Sequence, residues 1–121
     1  MPTLSNKHCL PCEGGTKPLD HEESEALLHE INGWKLLNDS PAKNLAENLG
    51  GQAIEKTFEF KNFGDAIVFV NKVGEIAEKE GHHPDINLQN WRYVTLHLST
   101  HAIDGLSDND FILAAKIDNI R

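Results

Sequence analysis

The chain has 121 residues, 39% of them apolar, and its 11 basic against 19 acidic residues give a net charge of −8. That length suits one hydrophobic core rather than two domains, and the composition is that of a soluble globular protein. No apolar run approaches the ~18–20 residues of a membrane-spanning helix, and the charge has the wrong sign for a sequence-independent grip on phosphate backbones. Neither a membrane nor a nucleic acid is therefore expected as a partner.

Residues 1–18 read as an N-terminal arm leading into a single domain over 19–121. The opening MPTLSNKHCLPCEGG lacks the apolar core of a secretory signal, and the acidic stretch after it argues against a transit peptide, so a cytoplasmic location is expected. Cys9 and Cys12 form a CxxC beside His8. Zinc would need further ligands and a disulfide would be unusual in the cytoplasm, which leaves two thiols in a partly ordered arm as the expectation.

The first helix should start at Asp20, where Asp20 and Glu23 have capping-box spacing, and end at Asn32-Gly33. Ala26, Leu27, Leu28 and Ile31 are its apolar side. Trp34–Leu37 reads as a short strand, followed by a long polar loop with a helical turn around Ala42–Leu49. From Ala53 to Phe60, Ile54, Phe58 and Phe60 alternate with Glu55, Thr57 and Glu59, as in a strand with one wet face, although Lys56 interrupts the apolar side. Asn62 can cap the next helix, whose Phe63, Ala66, Ile67, Phe69, Val70, Val73, Ile76 and Ala77 recur at helical spacing to about Lys79.

The stretch Glu80–His101 holds four of the seven histidines. Gly81 is a natural helix stop, and Pro84 pushes His83 into an extended conformation. Asp85–Gln89 and Tyr93–His101 then read as a hairpin turning near Asn90. In the second strand Val94, Leu96, Leu98 and Thr100 face one way, and Tyr93, Thr95, His97, Ser99 and His101 the other. Antiparallel pairing brings His82 and His83 near His101. A last helix follows, with Ser107 as N-cap, Asp110 at N3, and Phe111, Ala114, Ala115 and Ile117 facing the sheet. The expected fold is α+β, a four-stranded antiparallel sheet with three helices packed on one face.

Histidine populates both acid and base forms near neutral pH. A lone histidine is more often structural, and His8, His21, His29 and His97 read as ordinary; three converging ones point to acid–base catalysis or metal binding. Adjacent His82 and His83 diverge in extended backbone and cannot easily chelate one ion, which ranks acid–base work above metal.

The pattern Glu78-Lys79-x-Gly81-His82-His83-Pro84, followed by Ser99-Thr100-His101, Gly105-Leu106-Ser107 and Asp110, resembles the pterin-4a-carbinolamine dehydratases. The match runs from about Ala66 to Asp118, with weaker agreement at Trp34 and Phe58–Phe60. Relative to vertebrate members the hairpin carries one extra residue, and Ile86, Asn87 and Trp91 differ, a variant familiar among bacterial and plastid members. The resemblance implies the same α+β fold and the dehydration of 4a-hydroxytetrahydrobiopterin, or another 4a-hydroxytetrahydropterin, to quinonoid dihydropterin. It implies His82, His83 and His101 as catalytic residues, with His82 and His101 as exchangeable acid or base and His83 orienting the pterin. Glu78, Pro84, Ser99, Thr100, Ala102 and Asp110 would bind substrate. Asp110 would also suit a helix cap, and Glu78 an exposed last turn or a partner orienting a histidine. No cofactor or metal is implied, the pterin being the substrate. A homodimer or homotetramer is expected, serving an aromatic amino acid hydroxylase in tetrahydropterin recycling. The alternative is a non-catalytic interaction protein on the same fold, like the family's transcriptional coactivator or its Rubisco assembly factors.

Overall fold

Tyr93–Leu98, the stretch with the strictest alternation, lies inside the sheet with a partner on each side. The computed structural model describes residues 4–10, 17–37, 53–103 and 105–120, His101 by its backbone alone, so the side-chain role expected of His101 lies outside what is described. Its elements are α1 (His21–Leu28), β1 (Lys35–Leu37), β2 (Ala53–Glu59), α2 (Phe63–Glu80), β3 (Asp85–Gln89), β4 (Tyr93–Leu98) and α3 (Asp108–Asp118). Short 3-10 turns lie at Leu4–Asn6 and His101–Ile103. The strands form the four-stranded antiparallel sheet that the sequence predicts, and the structure sets their order as β1-β2-β4-β3. The polar loop and the helical turn expected at Ala42–Leu49 lie outside the described residues. Among the described residues no helix is long and apolar enough to cross a membrane.

Register decides which side chains share a face. Ile54 pairs with Leu98, Phe58 with Val94, and Ile86 with Leu96, so these residues look toward the helices. Val94, Leu96 and Leu98 are fully buried there against Ala66, Phe69 and Val73 of α2 and the apolar residues of α3. The opposite face is polar: Thr57 and Thr95 share a hydroxyl hydrogen bond of 2.8 Å, Arg92 pairs with Glu59, and His97 Nδ1 lies 3.7 Å from Asp85.

Lys56 falls on the helix side, which its place in the alternation requires. Its chain runs against Phe58, with Nζ 4.7 Å from the ring centroid, and its ammonium donates to Asp118 Oδ1 at 2.9 Å and to the Asn32 carbonyl at 2.6 Å. Trp34 Nε1 also donates to Asp118. A buried stem with a satisfied charge makes the interruption tolerable.

The expected caps are present. Asp20 and Glu23 form the capping box of α1, Asn62 Oδ1 accepts from Asp65 N–H, and Gly81 ends α2 at φ +67°, a left-handed conformation that glycine adopts without strain. At the hairpin, Asn90 and Trp91 both have positive φ and Arg92 N–H returns to the Gln89 carbonyl, as in a type I′ turn.

Several expectations are corrected. Phe63 is 52% exposed, since it stands at the first helical position, ahead of Ala66 where the buried stripe begins. In α1, Ala26 is exposed and Ser24 is fully buried. The strand expected to reach His101 ends at Leu98, because Thr100 pairs its backbone with Gly105 and the chain turns through His101–Ile103. Helix α3 is buried nearly all round, Ile112 and Leu113 included. Residues 4–10 cover its outer side: Leu4 is buried, and Lys116 Nζ donates to the Ser5 carbonyl at 2.9 Å.

Candidate functional site

Where α2 ends, β4 finishes and α3 begins, the chain forms an open-mouthed cavity of ≈ 440 Å³. Gly81, His82 and His83 line it from the helix end, Ser99, Thr100 and Ala102 from the strand end, and Cys9 and Leu10 from the N-terminal segment, with Glu80 and Asn109 behind them. That size suits a small heterocycle.

The most ordered part of the wall is a chain of polar contacts ending on His82. Asp110 has no solvent exposure, and its Oδ1 lies 2.6 Å from His82 Nε2. Its Oδ2 accepts the Thr100 hydroxyl at 2.7 Å and the Ser107 N–H at 3.0 Å. The Ser107 hydroxyl is 2.7 Å from Thr100 Oγ1, whose own proton is committed to Asp110, so Ser107 donates. A carboxylate oxygen only accepts, so Oδ1 takes the His82 Nε2–H, which leaves Nδ1 as the ring nitrogen that Asp110 does not engage. Asp110 is thus both the N3 residue of α3 and the carboxylate that fixes a histidine tautomer, two uses that the sequence left side by side.

His83 is in a different environment. Its side chain is 60% exposed, and Nε2 meets Glu78 Oε1 at 3.1 Å, with Glu78 exposed in the last turn of α2. An ion pair this open contributes little to stability, but it does orient the ring. Glu78 and Pro84 line a neighbouring open groove between α2 and β3, which shares His83 with the cavity. His101 opens the 3-10 turn directly after Thr100, and its neighbour Ala102 lines the cavity.

Sequence reasoning missed Cys9, Leu10, Glu80 and Asn109. Glu80 follows Ala66, Phe69, Val73 and Ala77 on the buried stripe of α2, and a carboxylate there needs partners. Its side chain is 4% exposed; Oε1 accepts the Cys9 N–H at 2.7 Å, Oε2 lies 3.1 Å from His8 Nδ1, and Lys116 Nζ is 3.9 Å away. Burial works against the charged form, but the Cys9 N–H, His8 and Lys116 outweigh it and hold the carboxyl below its ordinary range. Asn109 pairs with the Leu10 backbone twice, accepting its N–H at 2.9 Å and donating to its carbonyl at 2.6 Å. The Cys9 thiol sits 3.6 Å from the Asn109 carbonyl, and burial, followed by the nearby Glu80 and Asp110 carboxylates, pushes it up to about 12. Both causes favour the thiol over the thiolate. Cys12 lies outside the described residues.

Residues 17–120 match the family model described as pterin 4 alpha carbinolamine dehydratase. A protein of Methylococcus capsulatus, provisionally named a pterin-4-alpha-carbinolamine dehydratase, is 44% identical over 118 residues, covering 98% of this chain and 93% of its own length. A Rubrobacter xylanophilus protein with the same provisional name is 39% identical over 120 residues, covering 99% of this chain and all of the other. The crystal structure of a Brucella melitensis protein titled transcriptional coactivator/pterin dehydratase aligns with a TM-score of 0.72 at 27% identity, covering 86% of this chain and 98% of that one. With a family model spanning nearly the whole domain and relatives of this identity over full length, the chain belongs to the pterin-4-alpha-carbinolamine dehydratase family.

Proposed function

We propose that this protein dehydrates a 4a-hydroxytetrahydropterin to the quinonoid dihydropterin by histidine acid–base catalysis, without a cofactor. The observation that carries the reading is the cavity-lining His82 ring, held at 2.6 Å by a carboxylate with no solvent exposure. Fixing one ring nitrogen in this way presents the other in a defined direction, which is what a proton donor or acceptor in an elimination requires.

In the reaction the N5–H proton passes to a base, the N5–C4a double bond forms, the C4a–O bond breaks, and the departing hydroxyl takes a proton and leaves as water. His82 and His101, from the helix end and the strand end, are the acid–base pair beside the 4a position, and His83 orients the ring and assists removal of the N5 proton. Ser99, Thr100 and Ala102 offer strand-end backbone groups to the pyrimidinone edge. Asp110 acts through His82. Glu78 acts through His83, and Pro84 keeps that residue extended. The product would return to an aromatic amino acid hydroxylase through tetrahydropterin recycling.

The test is the rate at which purified protein accelerates water loss from chemically generated 4a-hydroxytetrahydropterin. General acid–base groups contribute about 10²- to 10⁴-fold, so a His82→Ala/His101→Ala double variant should lose most of the acceleration. Each single variant should slow one 4a stereoisomer more than the other, and His83→Ala should slow both. Near-parental rates in the double variant would remove these residues from the mechanism and favour a partner-binding role, for which the exposed Phe63 and Val68 on α2 offer a surface.

A further inference from the structure

The family match begins at residue 17, yet one wall of the cavity comes from upstream of it. Leu10 is 74% exposed while its backbone is pinned from both sides by the Asn109 amide, itself 7% exposed. One residue earlier, the Cys9 N–H is held by the buried Glu80 carboxylate. An apolar side chain left open to water at a cavity mouth, on backbone held by three hydrogen bonds to buried groups, is in the state expected of a surface kept ready for a ligand. A flat bicyclic ring entering between the histidines and the strand end would bring apolar surface into reach of Leu10, and neither group gains from water there.

We infer that the His8–Leu10 segment is a wall of the substrate site, with Leu10 supplying an apolar contact to the pterin and Asn109 and Glu80 serving as positioning residues. This rests on the pterin reading given above and assigns to that site a specificity element upstream of the residues that the family model matches. The contact is made equally to substrate and transition state, since Leu10 carries no proton and faces no developing charge. It therefore belongs to KM and not to kcat.

The test compares the parent with Leu10→Ala, Leu10→Met, Asn109→Leu and the Leu10→Ala/Asn109→Leu double variant. KM and kcat are measured on 4a-hydroxytetrahydropterin, and Kd by calorimetry on 7,8-dihydrobiopterin as a stable probe. Leu10→Ala should raise KM and Kd by about five- to tenfold, the scale of losing one to two buried methyl or methylene groups, while kcat stays within about twofold. Leu10→Met should restore both. Asn109→Leu should release the backbone, seen as faster hydrogen exchange at the Leu10 amide, and raise KM similarly. The double variant should then be no worse than the more impaired single one, because both act through one contact. Leu10→Ala values of KM and Kd within about twofold of the parent would overturn the inference, and multiplying effects in the double variant would strip Asn109 of its positioning role. A parent that binds dihydrobiopterin without dehydrating its substrate refutes the activity alone, and the Kd comparison still judges the wall. A parent that does neither refutes both.

Discussion

Asp110 shows how one side chain can satisfy two demands at once. As the N3 residue of α3 it takes the Ser107 N–H, and as a fully buried carboxylate it also takes Thr100 and His82. An Asp110→Asn variant keeps the shape but turns one oxygen into a donor, which must then face either His82 Nε2–H or the Thr100/Ser107 pair. We expect a loss of about 10²- to 10³-fold in dehydration rate and of about 1–3 kcal/mol in stability, read from single-turnover kinetics and a denaturant midpoint. Retention of the full rate would show that His82 does not need its partner. Ser24 is the opposite case: its hydroxyl is fully buried in α1 and has no hydrogen-bond partner. Ser24→Ala removes a desolvated polar atom and improves helix propensity, so the denaturation midpoint should rise by the equivalent of about 0.5–1 kcal/mol. A lower midpoint would mean that the hydroxyl is bonded in solution.

At the scale of elements, Leu4–Asn6 packs along α3, and residues 8–10 are attached to the domain through two helix ends. The last turn of α2 offers Glu80, and the first turn of α3 offers Asn109. Because the Glu80 carboxyl is held below its ordinary value of 4.5, the attached state binds fewer protons than the released one. Its contribution is complete above about pH 4.5, the unfolded value, and is lost as pH falls through the lowered folded value. Glu80→Gln should therefore destabilise the protein by about 1–3 kcal/mol at neutral pH, and the gap from the parent should close on acidification. A gap that stays constant down to about pH 3 would contradict this assignment of the charge.

For the whole molecule, the sheet order leaves β1 and β3 as edges, and β3 carries Ile86 at 39% exposure. On α2, Phe63 and Val68 add apolar residues more than half exposed. Open edges and exposed apolar groups are commonly covered by association. We propose a homodimer or homotetramer, which sedimentation at micromolar protein should report as a mass two or four times that of one chain. A monomer mass independent of concentration would refute it.

What the sequence determined by itself were the features that depend on near neighbours along the chain. The capping boxes at Asp20 and Ser107, the Asn62 cap, the Gly81 stop and the alternation of β4 all follow from short-range sterics and hydrogen bonding, and they sufficed to bring His82 and His83 to the end of a strand. The long-range partners were decided by the tertiary structure. Lys56 was visible as a charge on an apolar stripe and Glu80 was missed, and nothing local says that Lys56 meets Asp118 or that Glu80 meets residues 8 and 9. The run from Phe111 to Ala115 has no amphipathic period because α3 is covered on nearly all sides, and the covering segment lies about a hundred positions earlier. Periodicity reports how many sides of an element are buried; which segment buries them depends on contacts between residues remote in sequence, and these are fixed only when the chain packs.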